Sequence, residues 1–332
     1  MNRSTRRMLT SLAVCAALAA APAAALAWAA GTHAYVAKRT YRMSGLVDDA
    51  ELCRRVLGAN GPDLFNSIWD DEAQALALVL HTRDPRPNLA PYAAASGDAQ
   101  RALGFGFASH NNGWGTDATA HVAGRTFGQD EGYVIAKAAV VGALLAPTLG
   151  DALGLPPDVA RALATDVSHN FVEYGVDLLL AQADPQLGWT LYGSAGCYLG
   201  TADDDFLVKA LVPWMAPALP PGATRSAEQW VRLAEAPFVR GLAANGYVLT
   251  LPFDVAKATL AHQLAVEGRS YLAWRYAGVP GFDPPPPVEL LEQLASAGLD
   301  VAVAVCAPDV MGELEATTGW VNGRMSSNAI SP

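Results

Sequence analysis

Six histidines are spread over the 332 residues, and five of them stand near groups that could share a metal ion with them. His33 lies five residues after Trp28 in Trp-Ala-Ala-Gly-Thr-His, and His81 precedes Asp84-Pro85. His110, Asp117 and His121 fall within His-Asn-Asn-Gly-Trp-Gly-Thr-Asp-Ala-Thr-Ala-His, and His169 and Glu173 within His-Asn-Phe-Val-Glu. A histidine and a carboxylate four apart on a helix share one face, so both can reach one ion without bending the backbone. Asp117/His121 and His169/Glu173 have that spacing. His110 and Asp117 are seven apart, two ideal turns, but Gly113 and Gly115 between them argue against a continuous helix. Imidazole and carboxylate suit zinc, and zinc held by three such groups keeps a position open for water. Water acidified by a metal is a nucleophile near neutral pH, and several ions a few ångström apart stabilise both attacking and leaving oxygens at phosphorus. The chemistry within reach is hydrolysis of a phosphate ester.

Other residues near these motifs read more simply. Asp63, in Gly61-Pro62-Asp63, either caps its turn or faces the histidines, and Asp84 before Pro85 is turn chemistry. His262, between apolar helix positions, reads as a core or surface histidine outside the set. Phe65, Trp69, Phe105, Phe107 and Trp114 read as core packing, with an aromatic pocket for a choline head group as the alternative. Asp203-Asp204-Asp205 reads as a solvated helix start.

The elements that must position the motifs are helical, and the fold class is all-α. A helix over 71–80 stops at His81-Thr82-Arg83-Asp84-Pro85-Arg86-Pro87, a loop rich in helix breakers. Residues 131–146 form an almost wholly apolar helix ended by Pro147, a core helix in preference to a membrane span. Pro156-Pro157 opens a long helix to about residue 183, with His169 and Glu173 in its middle. Ser226-x-x-Gln229 is a capping box that starts a helix reaching residue 243; another covers 253–276. Prolines 284–287 are a stiff spacer before a final helix over 288–297, and period-two patterns are confined to 247–251 and 301–305. There is no internal repeat and no strand-rich tail. The stretch Gly200-Thr-Ala-Asp-Asp-Asp separates residues 28–200, which hold every motif, from a helical extension over 201–332 packed on them.

Residues 1–27 read as a signal peptide: Arg3, Arg6 and Arg7, an Ala/Leu/Val run over 9–21, then Ala25-Leu26-Ala27 for the peptidase. Thr5-Arg6-Arg7-Met8-Leu9 resembles a twin-arginine signal, so the protein is expected to be secreted or periplasmic. Val14 before Cys15 makes a poor lipoprotein box, and no transmembrane anchor is expected. Cleavage after Ala27 leaves Trp28 as the first residue. Setting aside the leader's three arginines from 22 basic residues leaves 19 against 32 acidic ones. That balance disfavours polyanions, nucleic acid included, as long-range partners, although bound cations reverse the local field. Cys53, Cys197 and Cys306 remain; an odd count is no disulfide framework, and one bridge plus a free thiol is open without a choice of pair.

Taken in order, these motifs resemble the zinc-dependent phospholipase C family, which shares an all-α fold and a trinuclear zinc site with single-strand-specific nucleases. Residues 28 to about 180 carry the resemblance: an N-terminal Trp28 followed by His33; Gly61-Pro62-Asp63; His81 with Asp84-Pro85; His110, Asp117 and His121; and His169-x-x-x-Glu173. The resemblance implies that Trp28 binds metal through its free amino group and carbonyl oxygen, joined by His33 and Asp117 on one zinc. It implies His81, His110 and Asp117 on a second, with Asp63 beside it, and His121, His169 and Glu173 on a third. Asp117 would bridge the first two, and Asp63 would orient or deprotonate the attacking water.

One departure stands out. The family's step from histidine to bridging aspartate is usually one helical turn, about four residues, and here it is seven. Either residues are inserted within 111–116 or the bridging ligand is displaced. The implied activity is a phosphodiesterase that releases diacylglycerol from phospholipid at a membrane surface. A nuclease or 3′-nucleotidase on the same site is one alternative, and a non-catalytic exported metal-binding protein is another.

Overall fold

The computed structural model describes residues 28–40, 49–66, 68–198, 205–276, 282 and 284–331. The leader with its cleavage point, Cys15, Asp203 and Asp204 lie outside them. The described residues form fourteen α-helices and no strand. In order they are α1 (Ala30–Thr40), α2 (Asp49–Asn60), α3 (Asp71–Leu80), α4 (Arg86–Ala94), α5 (Asp98–His110), α6 (Thr116–His121) and α7 (Tyr133–Leu153). There follow α8 (Pro157–Ala183), α9 (Leu187–Tyr198), α10 (Phe206–Met215), α11 (Ala227–Val248), α12 (Phe253–Arg275), α13 (Val288–Cys306) and α14 (Val310–Ser327). A 3-10 turn, Gly61–Phe65, follows α2 directly.

Local chemistry sets several ends. The Asp70 side chain caps α3 by accepting from the Glu72 and Ala73 amides. Ser226 and Gln229 form the capping box at the start of α11. Gly154 ends α7 in the left-handed region at φ 63°, and Pro157 then opens α8. So short a connection makes α7 and α8 an antiparallel hairpin, and theirs is the most extensive helix contact in the molecule.

Three readings of the sequence are corrected here. Residues 247–251 and 301–305 are not strands: the first closes α11 in a turn, and the second lies inside α13. In α13 burial follows Leu299, Ala302 and Cys306 at helical spacing, so tertiary packing overrides the Val-Ala alternation. Pro147 does not end its helix; α7 runs on to Leu153, with Pro147 on the exposed face. Helices α11 and α13 also outrun their expected ends, because their apolar faces continue into the core.

One hydrophobic core joins both halves of the chain, from Trp28 and Phe65 through Val176 and Leu211 to Leu299 and Leu314. A Cys53–Cys197 disulfide ties α2 to α9, and Cys306 is a buried free thiol. Helix α7 is long and apolar enough to cross a membrane, yet half of its most apolar window is buried in the protein. Its other face leaves Val140 and Leu144 exposed.

Candidate metal centre

Six pieces of structure bring the motif residues together. His33 sits one turn into α1, whose first amides are held by Asp177 of α8. That carboxylate accepts from the Gly31 amide, the Thr32 amide and the Thr32 hydroxyl at 2.7–2.8 Å. A Cβ at Gly31 would run into it, so glycine permits the approach. Asp63 comes from the 3-10 turn after α2, steadied by the Asn66 side-chain amide at 2.7 Å. His81 is the residue that ends α3, and His110 is the last residue of α5.

The seven-residue step from His110 to Asp117 is a loop between two helices. Asn111 organises it: its side-chain oxygen accepts from the Gly113 and Trp114 amides at 3.0 and 2.9 Å. Chain direction then resets at Gly115, and α6 presents Asp117 and His121 on one face. Helix α14 clamps this segment from behind. Trp320 donates to the Trp114 carbonyl at 2.9 Å, Thr317 meets Thr119 at 3.1 Å, and Glu313 accepts from the Arg125 and Thr126 amides. His169 and Glu173 stand in the middle of α8, and Asp177 is one turn further along the same face.

Three donor groups result, each with its ligand atoms within 4.8 Å of one another: His33, His110 and Asp117; Asp63, His81 and His110; and His121, His169 and Glu173. Any of them could hold a metal ion. His81 Nδ1 lies 2.8 Å from the Ala77 carbonyl and His110 Nδ1 2.9 Å from that of Ala59. A carbonyl only accepts, so both rings carry a proton on Nδ1 and turn Nε2 inward, that of His81 toward Asp63 and that of His110 without a hydrogen-bond partner. His110 therefore has one nitrogen to give to the two groups that share it.

Asp63 spans the first two groups. Its Oδ1 is 3.1 Å from His81 Nε2 and 3.9 Å from His110 Nε2, while its Oδ2 is 3.9 Å from His33 Nε2. Asp117 divides its oxygens differently: Oδ2 is 3.7 Å from His110 Nε2 and Oδ1 is 3.3 Å from His121 Nδ1. Thus Asp63 joins His81 and His110, and Asp117 lies between His110 and His121. In the third group His169 Nε2 is 2.8 Å from Glu173 Oε1 and 3.1 Å from His121 Nε2. The Trp28 backbone faces the His33 ring without closing a hydrogen bond on either ring nitrogen. Its indole stacks on Tyr133 at 5.5 Å.

Electrostatics divides the histidines. Burial pushes His33 and His110 down to about 4, so both are neutral at pH 7 with free lone pairs. Burial also opposes charge on His121, but Asp117 and Glu173 outweigh it and hold that imidazole up at about 10. Burial likewise opposes ionisation of Asp117, yet His121 and His110 keep its carboxyl far below the usual range. His81 is raised against its own burial by Asp63 and Asp117.

The donor set fits divalent cations. Both ring nitrogens of His33, Nε2 of His110 and both oxygens of Asp117 are buried without a well-formed hydrogen bond. Buried polar atoms are nearly always paired, and so many orphans of borderline-to-hard type around one point are what zinc or a related ion satisfies. Asp63, His169 and Glu173 also open onto a cavity of about 580 Å³.

The remaining residues singled out in the sequence take structural places. Phe65, Phe105, Phe107 and Trp114 are core, while Trp69 lines the cavity and stacks on Trp274 at 5.9 Å. Asp84 grips Arg86 in its turn, Asp205 pairs with Arg232, and His262 is an exposed partner of Glu292. Sequence reasoning missed Asp177, whose signal was its position four residues beyond Glu173. It also missed Asn66, Asn111 and the Glu313 clamp. Comparison with protein families, with curated proteins and with solved structures finds no match to this chain.

Proposed function

We propose that the chain is an exported zinc hydrolase of the phospholipase C kind, cleaving the head-group phosphodiester of a phospholipid with activated water. The observation that carries the reading is the convergence of buried imidazole and carboxylate donors, of which Asp63, His169 and Glu173 open onto a mostly apolar cavity. His33 and Asp117 would hold one ion, with the Trp28 backbone as the further ligand once the leader is removed. Asp63, His81 and His110 would hold a second, and His121, His169 and Glu173 a third. When bound, zinc supplies Lewis acidity and lowers the pKa of water toward neutrality.

The chain's own groups do the rest. Asp63, 17% exposed at the cavity wall, is the carboxylate that orients the attacking water and takes its proton. Asn66 keeps that carboxylate aimed, and the Nδ1 contacts of His81 and His110 fix which nitrogen of each ring faces inward. Asp177 sets the start of α1, and with it the approach of Trp28 and His33. The apolar wall excludes bulk water from the ester.

Incubating metal-replete mature protein with phosphatidylcholine, single-stranded DNA and a 3′-nucleotide tests this. Release of phosphocholine alone is the expected result. Cleavage of DNA without lipid would move the reading to the nuclease branch, and inactivity on all three with metal bound would leave a non-catalytic metal-binding protein.

A further inference from the structure

The cavity beside the donor groups is long. On α8 its lining runs over residues 162–174, about 18 Å of helix at 1.5 Å per residue. Because α7 returns antiparallel, with Gly142 against Ala164 and Thr165 and Gly150 against Ala160, Ile135 and Ala138 lie toward Glu173 at the metal end, and Leu149 and Leu153 lie past residue 162 at the other. Spread over about 18 Å, 580 Å³ leaves a cross-section of roughly 30 Å², about 5.5 Å across, wider than one carbon–carbon contact distance of about 4 Å and narrower than two. This is a slot, and its wall is mostly apolar.

The two carboxylates farther along the slot, Asp166 and Glu267, are buried in ways that disfavour charge. Asp166 accepts from the Tyr271 hydroxyl at 2.6 Å with Arg275 nearby, and burial raises the Glu267 carboxyl. Gly268 of α12 lines the slot, and a Cβ built on it meets nothing within 4 Å. Elongated and mostly apolar space that starts at a cluster of metal-type donors fits a molecule with a phosphate at one end and a hydrocarbon chain at the other.

We infer that the slot receives one apolar chain of an amphiphilic phosphate ester, so that the preferred substrate is a single-chain phospholipid whose tail lies between α7, α8 and α12. The inference rests on the proposed phosphodiester chemistry for its head group and narrows it to a lipid whose chain is swallowed by the protein. A two-chain lipid would have to leave its second chain outside the slot.

Binding and turnover separate the two ideas. Metal-stripped full-length mature protein is titrated with alkylphosphocholines of increasing chain length by calorimetry. Affinity is expected to rise about four-fold per added methylene until the slot is full, and Gly268→Phe, which fills the slot from an unobstructed position, is expected to abolish that rise. Metal-loaded protein is then given glycerophosphocholine, lysophosphatidylcholine and vesicles of diacyl phosphatidylcholine. At least a ten-fold preference for the lyso form, shrinking in Gly268→Phe, supports the inference, and metal content of the variant shows that the centre is still loaded. Chain-dependent binding without turnover of any ester sustains the slot and removes the hydrolase. Turnover indifferent to chain length, a preference for diacyl vesicles, or chain binding that survives Gly268→Phe overturns the slot.

Discussion

Asp117 and Glu313 are both carboxylates without exposed surface, and they differ in what their oxygens meet. Glu313 accepts from the Arg125 amide and the Thr126 hydroxyl at 2.7 Å, and from the Thr126 and Phe127 amides as well. Neither oxygen of Asp117 closes a hydrogen bond, although imidazoles surround it. Nearby, Lys137 and Asp309 repeat the satisfied pattern: the ammonium reaches Asp309 at 2.7 Å and the Val305 carbonyl at 3.0 Å, and the Tyr133 hydroxyl holds the other carboxylate oxygen. A buried charge costs several kcal/mol unless its partners are in place. The clamp around Glu313 is complete within the protein and serves the architecture of the loop after α6. The groups around Asp117 are instead ones that could hold a metal ion.

The sharpest way to break this contrast is to neutralise each carboxylate in turn. Asp117→Asn should lower phosphodiesterase activity by more than about 100-fold, beyond the usual cost of an outer-shell change, and should reduce bound zinc as read by elemental mass spectrometry. Full zinc loading in that variant would place Asp117 with Glu313 as architecture. Glu313→Gln turns an amide toward backbone donors, so chemical denaturation should show a loss of about 2–3 kcal/mol, while zinc per folded chain stays the same. A fall in zinc loading there, with the fold intact, would blur the distinction.

The pH dependence of the metal-free protein sharpens the comparison further. His33 and His110 titrate near 4 in the fold against 6.5 for the free group, so their contribution is whole above pH 6.5 and is lost as pH falls toward 4. His121 titrates near 10, so its contribution is whole below pH 6.5 and is lost as pH rises through 10. Denaturation of chelator-treated protein from pH 4 to 10 should therefore give a stability maximum near neutrality. Because His121 must shed its proton to ligate, zinc binding at pH 8 should release acid; a pH-stat that records none would contradict this. The smallest effect belongs to the sixth histidine. His262→Ala removes an exposed pair with Glu292 and should change stability by no more than about 0.5 kcal/mol and zinc content not at all.

What could be read from the sequence was local. The bounds of α3 and α8, the capping box of α11, the shared face of His169 and Glu173, and the break at Gly113 and Gly115 all follow from spacing, caps and glycine within a few residues. The misses come from contacts distant in sequence. Nothing near Cys53 marks Cys197 as its partner 144 residues away, and nothing near Arg125 marks Glu313. Val-Ala alternation over 301–305 resembles a strand until the core face of α13 is known. The site divides the same way. The donor residues were visible as types and spacings, whereas the distribution of Asp63 and Asp117 among the histidines depends on how α2, α5 and α6 meet.

The most direct measurement is the zinc content of mature protein, cleaved before Trp28, after dialysis against excess metal and gel filtration. The proposed function predicts one ion for each of the three groups, removed only by chelation and regained on adding zinc. Less than one tightly held ion per chain, from a protein that is folded and monodisperse, would contradict the reading of these buried histidines and carboxylates as a metal centre.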